Sequence, residues 1–112
     1  MTMVVFRSRL RPEHAEEFHA LADRMLEIAR SMPGFVSYEV YAAEDGRRCS
    51  VIEFESPETL RAWREHPEHR AAQQLGREKF YEEYSLHVAE LDRESIFRRS
   101  APAPQPRERT RQ

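Results

Sequence analysis

Apolar positions in the first third of the chain change from the spacing of a strand to that of a helix. Residues 3–10 begin with β-branched and aromatic side chains and then alternate, which predicts a strand. Over residues 12–31 apolar side chains recur every three or four positions, which predicts an amphipathic helix that ends at Pro33-Gly34. The apolar stripe of this helix comprises Phe18, Leu21, Ala22, Met25, Leu26, Ile28, Ala29 and Met32.

A hairpin and a helix start are predicted in the middle of the chain. Residues 35–43 and 47–55 form two further strands, and Asp45-Gly46 between them supports the positive φ of a tight turn. The segment Ser56-Pro57-Glu58 is typical of a helix N-terminus. The serine caps, the proline takes the first position and the glutamate lies at the positive end of the dipole.

The second helical region is interrupted by Pro67, which disfavours helical geometry at His66. We therefore predict one helix over residues 57–65 and another over residues 67–82. A fourth strand is predicted at residues 84–92, where apolar and polar side chains alternate.

The predicted order is β-α-β-β-α-β, which indicates an α+β, ferredoxin-like domain with helices on one face of an antiparallel sheet. Both alternating sets of the central strands contain apolar residues. Cys49 and Val51 oppose Ile52 and Phe54, and Phe35 and Tyr41 oppose Val36, Tyr38 and Val40. A sheet that is apolar on both faces needs a second cover, so we expect a homodimer that pairs sheet to sheet.

Composition fits one small globular domain at residues 1–97, followed by a Pro- and Arg-rich tail at residues 98–112. Of the 112 residues, 39% are hydrophobic and 34% are charged. There is no apolar run long enough to span a membrane, and charges interrupt the N-terminus where a signal peptide needs an apolar stretch. The single cysteine, Cys49, excludes an internal disulfide. The expected location is therefore the cytoplasm.

The charge distribution argues against a nucleic-acid partner. Residues 1–97 carry 13 basic and 19 acidic side chains, whereas residues 98–112 carry five arginines and one glutamate. The basic tail has no interleaved aromatic residues of the kind that single-strand binders use. Neither a GxGxxG nor a GxxxxGK[ST] segment occurs among the three glycines, so the familiar nucleotide sites are not indicated.

The densest group of chemically capable side chains is Trp63, His66 and His69, at the helix break. An imidazole at a helix start feels the positive dipole end, which favours its neutral form. A neutral imidazole suits proton transfer, and an indole suits stacking on a planar ligand. The alternative is structural, with Trp63 as a core anchor, His66 as a cap and His69 in solvent. A metal site at the two histidines is disfavoured, because Pro67 disturbs their spacing and no third ligand lies nearby.

A second group is aromatic and comprises Phe6, Phe80, Tyr81 and Tyr84. In a ferredoxin-like domain these residues either fill the core or form the wall of a cavity between helices and sheet. Glu39, Glu53 and Glu55 on the strands are candidates for cross-strand ion pairs with Arg7 and Arg9, and less so for acid–base chemistry.

The strand and helix order, the turn Pro33-Gly34-Phe35, the run from Phe54 to Trp63 and the segment His66-Pro67-Glu68-His69 together resemble the antibiotic biosynthesis monooxygenase family. The resemblance covers about residues 3–92. It implies a dimeric α+β barrel whose protomers each hold a pocket between helices and sheet. It also implies oxidation of phenolic, quinol or anthrone-like substrates by O₂ without a metal, flavin or haem. Trp63 carries over as a pocket residue, and we take Trp63, His66 and His69 as the candidate catalytic residues, with the two histidines as proton partners.

Three positions depart from the family's characterised branches. Thr59 stands where anthrone-oxidising members are expected to have Asn. Members that degrade haem are expected to have an axial His where this chain has Gln73 and an Asn where it has Phe6, and an amide is a poor iron ligand. We include Phe6, Thr59, Gln73, Phe80 and Tyr84 as candidate substrate-binding residues. A non-catalytic binding module and a haem-binding protein remain the alternative functions.

Overall fold

The computed structural model describes residues 1–99, and the predicted tail lies outside them except for Arg98 and Arg99. The strands are β1 (Thr2–Leu10), β2 (Phe35–Ala42), β3 (Arg47–Phe54) and β4 (Tyr81–Glu90). The helices are α1 (Ala15–Ser31), α2 (Pro57–Arg64) and α3 (Pro67–Leu75), with a 3₁₀ turn at Pro12–His14 and a π-helical turn at Gly76–Phe80.

The four strands form one antiparallel sheet in the order β2-β3-β1-β4. This arrangement confirms the predicted α+β, ferredoxin-like fold. Val4 in the middle of β1 lies between Ile52 of β3 and Val88 of β4, and Tyr38 of β2 follows on the far side of Ile52. Residues directly opposite one another share a face, so this row marks the face that the helices cover.

The core lies between the sheet and the helices. Val4, Ile52 and Phe54 of the sheet pack against α1 and α2. The buried partners from the helices are Met25, Ile28, Ala29, Leu60 and Trp63. The opposite face of the sheet has no helix among the described residues. Val5 and Val51 lie opposite one another on that face and are only partly buried.

The predicted helix break is confirmed, and its caps explain its shape. The Ser56 side chain accepts a hydrogen bond from the Thr59 backbone N–H at 3.1 Å, and the Thr59 hydroxyl accepts one from the Ser56 backbone N–H at 3.1 Å. After α2 ends, Nδ1 of His66 accepts a hydrogen bond from the Glu68 backbone N–H at 3.1 Å and caps α3. Each short helix therefore starts with its own side-chain cap.

The prediction of a continuous helix over residues 67–82 was wrong. Regular α-helix ends at Leu75, the π-helical turn follows, and β4 already begins at Tyr81 rather than at residue 84. The cause lies in a tertiary contact at Gly76. A Cβ atom there would lie 2.6 Å from a carbon of the Tyr81 ring, so only glycine lets the backbone pass this close.

The predicted alternation in the second strand was also wrong at one end. The register between β2 and β3 shifts between Phe35 and Ser37, so Val36 is an extra residue. A bulge moves the residues before it to the other face. Phe35 consequently lies on the helix-covered side, with its ring centroid 5.8 Å from that of Phe54.

Candidate active site

A cavity of about 350 Å³ lies between the sheet and the helices. Its walls come from all four strands, from α1, α2 and α3, and from the π-helical turn. Tyr84 and Leu86 of the edge strand β4 line it and remain 42% and 39% exposed, so the cavity opens to solvent along β4. The volume falls in the range of natural small-molecule pockets.

Trp63 belongs both to the core and to the cavity wall. Its side chain is 3% exposed, and its ring stacks on Phe54 with a centroid distance of 5.6 Å. Tyr38 meets the same indole edge-on at 6.0 Å. The indole nitrogen Nε1 is buried without a hydrogen-bond partner among the described residues. The two roles considered for Trp63, core anchor and cavity wall, are thus compatible.

His69 lines the cavity next to Trp63, with ring centroids 4.3 Å apart. Burial, as the largest cause, and the neighbouring Arg64 charge together lower the pKa of His69 from 6.5 to about 4. The imidazole is therefore neutral near pH 7, and its Nδ1 atom is buried without a hydrogen-bond partner in the described part of the chain. The sequence attributed the neutral form to the helix dipole, whereas the structure identifies burial as the main cause.

His66 and Thr59 do not line the cavity. The Nδ1 atom of His66 is occupied by the cap of α3, and the Thr59 hydroxyl by the capping box of α2. Thr59 also packs against Gly34, where an added Cβ atom would lie 2.6 Å from the Thr59 side chain. The φ of Gly34 is +83°, which also favours glycine at this position. Both side chains therefore cap helix starts and lie outside the cavity lining.

The other four candidates, Phe6, Gln73, Phe80 and Tyr84, all line the cavity. The Phe6 ring lies 5.3 Å from that of Tyr84 and 5.4 Å from that of Tyr81. Tyr81 is the first residue of β4 and also contacts the Tyr84 ring. The three rings therefore form one aromatic wall. Burial raises the pKa of Tyr81, so this phenol stays protonated.

The lining residues that were not predicted from the sequence include Tyr38, Arg48 and Arg64. The Nε atom of Arg64 is buried without a partner among residues 1–99. Strand alternation contained a usable signal for Arg48, which lies four residues before Ile52 and therefore on the same face. Burial raises the pKa of Tyr38, while the Arg48 charge and a hydrogen bond with Ser50 act in the opposite direction.

Residues 1–99 contain no cluster of three or more His, Cys, Asp or Glu side chains arranged to hold a metal ion. Within the same range, no helix has both the length and the hydropathy required to cross a membrane. The functional groups of the cavity wall include a neutral imidazole, an indole N–H, protonated phenols and guanidinium groups.

The sequence matches the model of the antibiotic biosynthesis monooxygenase family over residues 1–75. The chain belongs to this family. The matched region ends with α3 and includes Trp63 and His69. YqjZ of Bacillus subtilis strain 168, an uncharacterized protein, is 36% identical over 94 residues, which cover 84% of this chain and 82% of YqjZ.

Solved structures share the fold of this family member. Rv0793 from Mycobacterium tuberculosis is 26% identical, with a TM-score of 0.72 over 84% of this chain and 98% of that chain. A point variant of SnoaB, a cofactor-independent oxygenase from Streptomyces nogalater, superimposes with a TM-score of 0.70. SnoaB is 15% identical, and the match covers 83% of this chain and 94% of that chain, so this likeness shows the fold alone.

Proposed function

We propose that this chain is a cofactor-independent monooxygenase that uses O₂ to oxidise a planar phenolic, quinol or anthrone-like molecule. The observation that carries the proposal is His69, a neutral imidazole with an unpartnered buried Nδ1 on the wall of an aromatic cavity. Family membership and the fold shared with SnoaB, a cofactor-independent oxygenase, support the same reaction class.

The reaction balances for an anthrone-like substrate without a further reductant. His69 accepts a proton from the activated carbon, and the resulting carbanion passes one electron to O₂. The two radicals combine into a C–O–O bond. The peroxide takes up the proton and then loses water, with a second hydrogen from the same carbon, to form a carbonyl. One oxygen atom enters the product and the other leaves as water, while the substrate supplies all the electrons.

The cavity residues supply proton transfer, orientation and charge stabilisation. His69 is uncharged at neutral pH because of burial, so it can accept the substrate proton without first losing one. The guanidinium of Arg64, whose charge already acts on His69, stabilises negative charge on the substrate oxygen. The indole face of Trp63 and the wall of Phe6 and Tyr84 hold a planar ring system and exclude water.

A pair of identical substitutions at two neighbouring histidines tests the proposal. O₂ consumption is measured with a panel of anthrones and hydroquinones for the wild type, His69→Asn and His66→Asn. We expect kcat to fall by about 100-fold or more in His69→Asn, the usual range for loss of a general base. We expect His66→Asn to keep its activity, because Asn is a good N-cap and His66 lies outside the cavity.

No turnover across the panel would contradict the proposal, as would an equal loss of activity in both variants. Binding of these compounds without O₂ consumption would instead support a non-catalytic binding module. We further propose that the protein acts as a homodimer in the cytoplasm, with the helix-free face of the sheet as the interface.

A further inference from the structure

The charge of the cavity differs in sign from that of the domain around it. Residues 1–99 carry 15 basic and 19 acidic side chains, so the domain as a whole is acidic. The cavity lining contains three arginines, the partly buried Arg48 and Arg64 and the exposed Arg77, and only one carboxylate, that of the exposed Asp23. None of the three arginines forms an ion pair among residues 1–99. Uncompensated cationic groups in a concave, partly apolar site favour an anionic ligand.

Arg48 is placed to bind such a ligand at a distance from the proposed proton acceptor. It lies four residues before Ile52 on β3, which is about 13 Å along the strand. Ile52 is directly opposite Tyr38, and the Tyr38 ring contacts Trp63, so the Trp63 and His69 pair lies nearer the Ile52 end. A molecule that reacts beside His69 and extends along the strands therefore presents its far end to Arg48.

The surroundings of Arg48 hold its guanidinium in place without neutralising it. Its Cζ atom lies over the Phe18 ring, 5.2 Å from the centroid. A cation–π contact of this kind orients the group and leaves its N–H groups able to donate to a carboxylate. Ser8, directly opposite Arg48 on β1, and Ser50 also line the cavity and add hydroxyl groups at this end.

We infer that the natural ligand is a fused-ring aromatic molecule with a carboxylate at the end remote from the reacting carbon, and that Arg48 binds this carboxylate. Arg64, next to His69, then remains available for the oxygen at the reacting end. The inference rests on the proposed function only in taking this cavity as the substrate site. It adds a substrate class, aromatic acids, and a specificity residue.

Two ligands of the same shape separate charge recognition from ring binding. The probes are 6-hydroxy-2-naphthoate and its neutral counterpart 6-hydroxy-2-naphthamide, and their dissociation constants are measured by isothermal titration calorimetry at pH 7. We expect the wild type to bind the carboxylate at least about tenfold more tightly than the amide, as a charge-assisted bidentate contact provides. In Arg48→Gln the two ligands should bind equally, with the amide affinity unchanged.

Three further variants complete the design. Arg48→Lys should retain part of the preference, because it keeps the charge but not the planar pair of donors. Arg61→Gln is the matched control, since Arg61 is exposed on α2 and does not line the cavity. It should keep the full preference. If Arg64→Gln rather than Arg48→Gln abolishes the preference, the assignment of Arg48 is wrong.

The outcomes also distinguish this inference from the proposed function. Equal binding of both ligands by the wild type overturns the inference and leaves the monooxygenase proposal standing. A carboxylate preference that depends on Arg48, combined with no O₂ consumption by any substrate in the panel, supports the inference and contradicts the monooxygenase. An equal loss of both ligands in Arg48→Gln would show that Arg48 only shapes the cavity, and it would overturn the inference.

Discussion

At the scale of single residues, the position of His69 determines its protonation state. The imidazole lies in the first turn of α3 and packs against the Trp63 ring, so it is removed from water. Removing a cation from water costs more than removing a neutral ring, and the pKa of His69 consequently falls to about 4. His66, three residues earlier, keeps its Nδ1 on a backbone N–H and acts as a cap.

The burial of His69 predicts that this single residue makes the stability of the protein depend on pH. Between pH 6.5 and about 4 the His69 imidazole is protonated in the unfolded chain and neutral in the folded one. Stability therefore falls as the pH drops through this window. From pH 7 to pH 5 we expect the wild type to lose on the order of 2 kcal/mol more unfolding free energy than His69→Asn.

Urea unfolding of both proteins at the two pH values measures this difference. An NMR titration of the His69 ring gives its pKa directly. A value near 6.5, together with parallel pH profiles for wild type and His69→Asn, would refute the buried neutral imidazole.

At the level of elements, the sequence predicted those features that depend on a few neighbouring residues. The cap at Ser56, the break at Pro67 and the turn at Asp45-Gly46 all appear as the sequence indicates. Two features were not predicted. The bulge at Val36 depends on pairing with β3, and the early start of β4 at Tyr81 depends on close packing against the preceding turn.

The candidate site follows the same rule. Trp63 and His69 were identified from their residue types at a helix break, and both line the cavity. Arg48 was not identified: its spacing from Ile52 indicates its face, but no local pattern reveals the cavity that makes that face relevant. His66 has the same side chain as His69, but His66 caps α3 through Glu68 whereas His69 is buried in the cavity wall.

The π-helical turn predicts a specific sensitivity at Gly76. Adding a methyl group there, as in Gly76→Ala, brings a Cβ atom to 2.6 Å from the Tyr81 ring, so the ring or the turn must move. We expect a loss of about 1–3 kcal/mol in unfolding free energy, the usual cost of overpacking. Thermal and urea denaturation measure it.

A double-mutant cycle with Tyr81→Ala identifies the cause. With the ring removed, the Gly76→Ala substitution should cost little, because a helical backbone tolerates Ala better than Gly. An unchanged penalty in the Tyr81→Ala background would show that the contact with this ring does not determine the turn.

At the level of the whole molecule, the helix-free face of the sheet is the feature that one chain leaves incomplete. Met3, Val5, Cys49 and Val51 are only partly buried there, and Tyr41 is 44% exposed. A second copy packed on this face would bury them. We predict a dimeric mass by multi-angle light scattering at micromolar concentration.

The substitution Val51→Lys should convert the dimer to a monomer, since it places an ammonium group between Val5 and Glu39, where a second copy would bury it. Ala62→Lys is the matched control: Ala62 is exposed on α2, and its variant should remain dimeric. A monomeric wild type would contradict the prediction, and so would an unchanged dimer in Val51→Lys.

The central claim is that the cavity beside Trp63 inserts one atom of O₂ into an aromatic substrate after His69 has accepted a proton. Mass spectrometry of the product formed from anthrone under ¹⁸O₂ tests it most directly. We predict anthraquinone with one ¹⁸O atom at the new carbonyl, formed rapidly by the wild type and His66→Asn and at the background rate by His69→Asn. Unlabelled anthraquinone, accumulation of hydrogen peroxide, or equal rates in the two histidine variants would contradict the claim.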